Sequence, residues 1–266
     1  MCVTDGQNCT EPNLYLESFV ASMSTGAVAP GDGIGMSNAT LIFRSIRTDG
    51  LLLKPSRPMS SVDYWYRQQA FTEAGVQWQL QETYTELQGL RWHYVMAVDL
   101  DRQLSVSADS LHINVTQQSY VAYYSASGFT HLYKTARLLN ASQPLILPPT
   151  TLPAFSVYYV APVLADSVVL YGERDKWVRI SEQRIHSLDW QTHPFQLTIN
   201  MLGEADEVVV MEWADVRRPT VVYAARCVVD ATGRASVTVQ QSGKWSCQHQ
   251  QPVEREIESA QLLATQ

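Results

Sequence analysis

The stretch from Ser24 to Pro58, STGAVAPGDGIGMSNATLIFRSIRTDGLLLKPSRP, holds the point at which the chain changes its pattern. The run Ala27-Val28-Ala29 stops at Pro30-Gly31-Asp32-Gly33 and reads as a short buried strand. Ser37 or Asn38 can cap a helix that carries Leu41, Ile42, Ser45 and Ile46 along one side. Asp49-Gly50 ends it, and Leu51-Leu52-Leu53 reads as a second buried strand, closed by Lys54-Pro55. Upstream, Thr10-Glu11-Pro12 can open a helix, and Leu16, Phe19, Val20 and Met23 recur at helical spacing, which predicts a helix over about 12–22. Helix, strand, helix, strand is the order of a parallel α/β layer, but a (β/α)8 barrel needs about 250 residues.

From about residue 76 the period becomes two. Val76, Trp78 and Leu80 alternate with glutamines. Phe195, Leu197, Ile199 and Met201 alternate with Gln196, Thr198 and Asn200, and Val221, Tyr223, Ala225, Cys227 and Val229 share one face. Such alternation predicts sheets buried on one side. Gly89, Asp101-Arg102, Ser127-Gly128, Gly203-Glu204, Thr232-Gly233 and Ser242-Gly243 separate the runs as turns. The expected fold is therefore mainly β: an antiparallel β-sandwich over 61–266 behind a short α/β segment over 1–60. Gln143–Pro153 carries four prolines and suggests a passage between two subdomains.

With 266 residues the chain can bury a sizeable core. Its net charge of -7, without a run of Lys or Arg, argues against nucleic acid as a partner. No stretch approaches the roughly 18 apolar residues of a membrane span, and Met1–Asp5 is not a signal peptide. Two features nevertheless point to a secreted or extracellular glycoprotein. Asn8, Asn38, Asn114 and Asn140 stand in Asn-x-Ser/Thr sequons, and the cysteines number four: Cys2, Cys9, Cys227 and Cys247. A cytoplasmic protein with unused sequons is the plainer alternative. If the strands near 227, 237 and 247 form a meander, Cys227 and Cys247 stand two strand spacings, about 10 Å, apart. A disulfide needs Cα atoms within about 7 Å. Either the last strand leaves the sheet or these two are unbonded. Cys2 and Cys9 can close a small loop.

Gly26–Pro58 resembles the last strand-helix units of the catalytic barrel of clan D glycoside hydrolases, closest to the raffinose synthase and seed-imbibition group of α-galactosidase-like proteins. Asp49-Gly50 and Arg57-Pro58 carry the clearest match. Asp32 matches the Asp of the family's Ser-Asp-x-x-Gly segment, with Gly31 in place of the usual Ser. A fainter likeness lies in Gly172-Glu173-Arg174-Asp175-Lys176-Trp177. The resemblance implies that residues 1–60 are the end of a (β/α)8 barrel and that the β region is the sandwich that follows it. It implies an upstream barrel as partner and a galactoside-like carbohydrate as substrate, with Asp32, and Lys54 after the second strand, near the barrel mouth.

Retaining glycosidases need two carboxyl groups about 5–5.5 Å apart. In the family both lie on earlier barrel strands, so this chain holds no catalytic residue and is not expected to hydrolyse glycosides alone. Asp32 serves equally well as a turn residue bonding its own backbone, and Lys54 as a solvated lysine before proline. Asp99 with Asp101, and the acidic loop Glu204, Asp206, Glu207, read as a turn and a solvated face. The scattered histidines suggest no metal site, and no motif suggests a cofactor. Trp65, Trp78, Trp92, Trp177, Trp190, Trp213 and Trp245 are expected in the core, while Tyr64-Trp65-Tyr66 and Tyr123-Tyr124 put rings on both faces of a strand. Three readings compete. The first is the C-terminal part of a secreted glycoside hydrolase-like protein, whose Phe19, Val20, Leu41, Ile42 and 51–53 would expose apolar surface in isolation. The second is a self-contained carbohydrate-binding or adhesion module. The third is an enzyme with an unrecognised site.

Overall fold

The computed structural model describes residues 12–31, 35, 37–63, 67, 70–71, 79–127 and 130–248. Helices α1 (Leu14–Met23) and α2 (Ala39–Ser45) come first. The strands follow: β1 (Ser60–Ser61), β2 (Gln79–Leu87), β3 (Leu90–Val98), β4 (Leu104–Val106), β5 (Tyr120–Ala126), β6 (Thr130–Leu139), β7 (Leu145–Leu147), β8 (Phe155–Leu164) and β9 (Val168–Glu173). The rest are β10 (Ile185–Thr192), β11 (Phe195–Leu202), β12 (Val208–Asp215), β13 (Val222–Val228), β14 (Arg234–Gln240) and β15 (Trp245–Cys247). The protein is mainly β and its sheets are antiparallel, as expected.

Strand β8 organises the molecule. Its first part lies between β3 and β5, with Tyr94 opposite Tyr159 and Tyr123 opposite Tyr159 from the other side. With β1, β2 and β6 this makes one sheet in the order β1-β2-β3-β8-β5-β6. At Val163 and Leu164 the same strand pairs with β9, which leads through β12 to β13. A separate sheet, β10-β11-β14-β15, faces that second group. Trp213 on β12 joins the two by donating its indole N–H to the Gln240 carbonyl on β14 at 3.2 Å.

The middle strands of the first sheet, β3, β5 and β8, are buried on both faces, contrary to the one-sided burial that alternation predicts. Every residue of β8 is buried. On one face Trp92, Tyr94, Met96, Tyr123, Phe155, Val157 and Tyr159 join the main core, which runs on between the second pair of sheets. On the other, Val95, Ala97, Ala122 and Val160 pack under Leu100, Val106, Leu111, Ile113 and Leu145, contributed by the segment after β3 and by the pair β4–β7. A strand covered twice cannot show a period of two, which is why β3 and β8 read as continuous apolar runs. Tyr123 is accordingly buried, and Tyr124 is half-buried with its hydroxyl 3.0 Å from Ser156 Oγ. Segment 143–153 supplies β7, and the chain returns as β8 to the middle of the sheet it left.

Strand β11, in the separate outer sheet, obeys the alternation, whereas β9 and most of β12 are buried throughout. In β11, Phe195, Leu197, Ile199 and Met201 are buried and their neighbours half-buried. Gly89, Gly233 and Gly243 take positive φ in the turns between β2 and β3, β13 and β14, and β14 and β15. Val76 and Trp78 lie outside the described residues.

The helices form as expected, but their strands do not. Asn38 caps α2, its side-chain oxygen accepting from the Leu41 N–H at 3.2 Å. α1 begins at Leu14 after Asn13, and Thr10 is outside the described residues. Residues 27–29 are exposed or half-exposed coil, and 51–53 makes only the isolated bridge Leu52–Ile46. A parallel strand needs parallel neighbours for its N–H and C=O groups; among the described residues 51–53 bonds instead to the chain just before it, with the Leu51 carbonyl accepting from the Arg47 N–H at 2.9 Å and the Leu53 N–H donating to the Ser45 carbonyl at 2.8 Å. Nor do the inner side chains wait for a partner: Phe19, Leu41 and Leu53 are 0–1% exposed. Phe19 packs its ring against Phe155 at 5.3 Å and Trp177 at 5.6 Å. Val20, by contrast, remains 39% exposed.

Cys227 and Cys247 are bonded, with Cα atoms 5.9 Å apart. The meander premise fails because the chain changes sheets between them: β13 pairs with β12, whereas β14 and β15 belong with β11. The bond therefore ties one sheet to the edge strand of the other. Cys2 and Cys9 lie outside the described residues. With 20 residues of separation, replacing Cys227 and Cys247 by Ser costs about 3 kcal/mol of stability. Denaturant unfolding with and without reductant checks this, and equal midpoints would refute it.

Candidate functional site

The segment Tyr171–Arg184 is rich in charge and carries Trp177, Val178 and Ile180 among its charged residues, and the structure makes it the junction between the helices and both groups of sheets. Gly172 is required at its start. Its φ is +101°, and a Cβ there would meet the Arg179 carbonyl oxygen at 2.3 Å. That close turn brings Arg179 back beneath the sheet, where it is 1% exposed. Arg179 donates to Tyr123 Oη at 2.6 Å and Tyr133 Oη at 2.7 Å, and it pairs with the Glu212 carboxylate. Glu212 also accepts from the Tyr133 hydroxyl and, at 2.7 Å, from Arg174 Nε. Burial would raise the Glu212 pKa, but the guanidinium of Arg179 and these hydrogen bonds bring it below the usual value. Burial pushes the Tyr123 hydroxyl above its ordinary range.

A second buried arginine joins the α2 region to the outer sheets. Arg184 uses all five N–H donors. Two go to Glu173, at 2.8 and 3.2 Å, two to Glu207, at 3.0 and 2.5 Å, and one to the Leu202 carbonyl at 2.7 Å. Glu207 in turn accepts from the Thr48 N–H at 3.1 Å. Burial opposes its ionisation, yet the hydrogen bonds and charge of Arg184 hold its pKa down at about 2. The solvated acidic face expected at 204–207 is thus wrong for Glu207, which is 8% exposed. Glu173 is deeper, and burial outweighs Arg184 to raise its pKa. Glu173 and Glu207 approach each other only across this guanidinium. A catalytic pair leaves room for a sugar between its carboxyl groups, whereas this space is filled.

The Gly172–Trp177 motif fastens the helices. Lys176 Nζ donates to the Phe43 and Ile46 carbonyls at 2.6 and 2.7 Å, placing a cation at the C-terminal end of α2 where the helix dipole favours one. Trp177 donates to Ser18 Oγ on α1 at 2.9 Å, and Arg44 covers its ring at 5.0 Å. Lys54, expected near a substrate, is held through its backbone: its N–H donates to Ser181 Oγ and its carbonyl accepts from the same hydroxyl. Asp32 lies outside the described residues. On the outward side, Val20, Phe43 and Leu51 stay 39%, 49% and 45% exposed.

The remaining candidates disperse. Trp92, Trp177 and Trp213 are core residues, Trp245 is half-buried, and Trp190 is 39% exposed at the end of its strand; Trp65, Trp78, Tyr64 and Tyr66 lie outside the described residues. Asn114 and Asn140 are exposed and Asn38 is half-exposed. Asn114 Oδ1 accepts from the Thr116 N–H at 3.1 Å, and Asn140 Oδ1 from the Ser142 N–H at 2.9 Å. Asn8 is outside the described residues. Among the described residues no cluster of His, Cys, Asp and Glu could hold a metal ion, and no helix is long and apolar enough to cross a membrane. No protein-family model matches the chain, and no curated protein matches it significantly.

Proposed function

We propose that this chain is the non-catalytic C-terminal part of a secreted, clan D-like glycoside hydrolase, in which the sandwich supports a (β/α)8 barrel. The observation that carries the reading is the two-sided character of the segment that resembles the family. Its inner face is fixed into the sandwich by Leu41 and Leu53, with Phe19 alongside, whereas Phe43 and Leu51 leave apolar surface outside. On this reading a barrel would supply the parallel neighbours that residues 27–29 and 51–53 do not have among the described residues. The intersheet disulfide and the exposed sequons at Asn114 and Asn140 favour an oxidising, secretory compartment. The substrate class this reading implies is a galactoside, with Asp32 and Lys54 toward the barrel mouth. The self-contained module remains the second reading, favoured by the complete burial of Phe19 and Leu53.

Immunoprecipitation of the endogenous protein with an antibody to residues 79–248 tests the proposal. The expected product is a polypeptide well above 266 residues in length that shrinks on deglycosylation and hydrolyses 4-nitrophenyl α-galactoside. A product of only 266 residues without hydrolase activity would overturn it.

A further inference from the structure

The outer face of β10, β11 and β14 is polar, as the alternation of β11 requires, and at one end it opens into a cleft of about 390 Å³. His186, Asn200, Asp230, Arg234, Ser236 and Gln248 line it. Three of these groups are set up without being used. Ser236 is 7% exposed, and its hydroxyl has no hydrogen-bond partner. A buried hydroxyl left in that state is destabilising until a partner reaches it. Arg234 stands at the start of β14 with its backbone N–H on Asp230 Oδ1 at 3.1 Å, while its guanidinium makes no hydrogen bond among the described residues. Asn200 has both amide hydrogens engaged, with Ser187 Oγ at 2.9 Å and Asp189 Oδ2 at 2.8 Å, so its orientation is fixed and its oxygen is left as an acceptor.

We propose that this cleft is a binding site for an uncharged sugar of one or two rings. The volume falls within the range of small-molecule sites, about 300–1,000 Å³. The Arg234 and Asp230 charges cancel within the lining, so the site offers no net attraction to an anion. It presents the Arg234 and Ser236 donors beside the fixed Asn200 acceptor, and a hydroxyl-rich ring satisfies both because each hydroxyl donates and accepts. Leu202, half-buried at the edge, offers an apolar contact for ring C–H groups. Among the described residues no Phe, Tyr or Trp lines the cleft, so affinity rests on hydrogen bonds and lies in the millimolar range. The site lies on the sandwich rather than on residues 12–58. It stands whether or not a barrel precedes this chain, and the two proposals fail separately.

The full chain, isotope-labelled, is titrated with methyl α-galactoside, methyl α-glucoside and methyl α-mannoside while amide chemical shifts are followed. At least one sugar should shift resonances of Asn200, Arg234 and Ser236 saturably. Arg234→Ala should weaken binding about tenfold with the unfolding midpoint unchanged, and Ser236→Ala should weaken it about threefold while raising the midpoint, since it removes an unpartnered buried hydroxyl. Gln191→Ala, on the same sheet but outside the cleft, should leave affinity alone. The proposal is overturned if no neutral sugar binds, if Arg234→Ala leaves binding intact, or if methyl glucuronide or inorganic phosphate binds in place of the neutral sugars.

Discussion

A chain shortened to residues 59–266 does not fold. Phe19, Met23, Leu41 and Leu53 are each 0–1% exposed in the main core, and truncating one such side chain costs about 2–5 kcal/mol. Losing all four approaches or exceeds the whole stability of an ordinary domain, about 5–15 kcal/mol. The deletion also strips partners from groups that stay behind. Trp177 loses Ser18, Lys176 loses the Phe43 and Ile46 carbonyls, and Glu207 loses the Thr48 N–H. The shortened chain should bind an apolar-surface dye and melt without a cooperative transition. Phe19→Ala in the full chain should cost about 3–5 kcal/mol with cooperativity retained. A shortened chain that melts sharply at the parent temperature, with no dye bound, would sink the claim.

Mild acid should destabilise the protein well before its carboxylates titrate. His93 is 3% exposed between Tyr84 and Tyr120, and burial, reinforced by Arg91 and Arg57, lowers its pKa from 6.5 to about 3. The Glu82 carboxylate, 4.0 Å from its Nδ1, pulls the other way without prevailing. Burial also holds His131, ringed by Tyr123, Tyr133 and Tyr159, well below 6.5. Both stay neutral in the folded state while the unfolded chain takes up protons. The stability they permit is therefore full above pH 6.5 and falls as the pH drops toward their folded values. Each contributes a slope of about 1.4 kcal/mol per pH unit, so about 4 kcal/mol is lost by pH 5. The depressed carboxylates Glu207 and Glu212 act in a lower window, beginning near their ordinary value of 4.5. Urea unfolding at pH 7.5 and pH 5 measures the difference, and His93→Gln should remove about half of it. Stability that is flat between those two values would contradict this account.

The sequence made the outer sheets readable and hid the inner one. β11 shows its buried face in every second residue because its other face meets water. β3 and β8 show no such rhythm, because the segment carrying Leu100, Leu111 and Ile113 covers the face that would have been polar. The pairing of Cys227 with Cys247 was equally hidden. Turn residues at Thr232-Gly233 announce a reversal but not a change of sheet. The buried ion network did leave a signal that spacing rules overlooked. Glu212 interrupts the run Val208–Ala214 and Arg179 stands between Trp177-Val178 and Ile180, and a charge in such a run must find a partner inside; Glu173 and Arg184, among polar neighbours, gave no such signal. Asn38 was legible as a cap because capping is local. The strands expected at 27–29 and 51–53 were misread because strand formation depends on neighbours that three residues do not specify. Of the candidate site, Lys54 was placed by backbone bonds to Ser181, a contact 127 residues away in the chain.

The shared strand β8 also dictates an order of events during synthesis. The β2–β3 and β5–β6 hairpins leave the ribosome first, and each has one edge whose only native partner is β8. Two-stranded hairpins are marginal on their own, and open apolar edges invite pairing with other chains. Until Leu164 has emerged, the nascent chain carries both edges uncovered, so its demand for chaperones is concentrated before that point. Once β8 inserts, both hairpins close on it together, and its last two residues are already in place to receive β9.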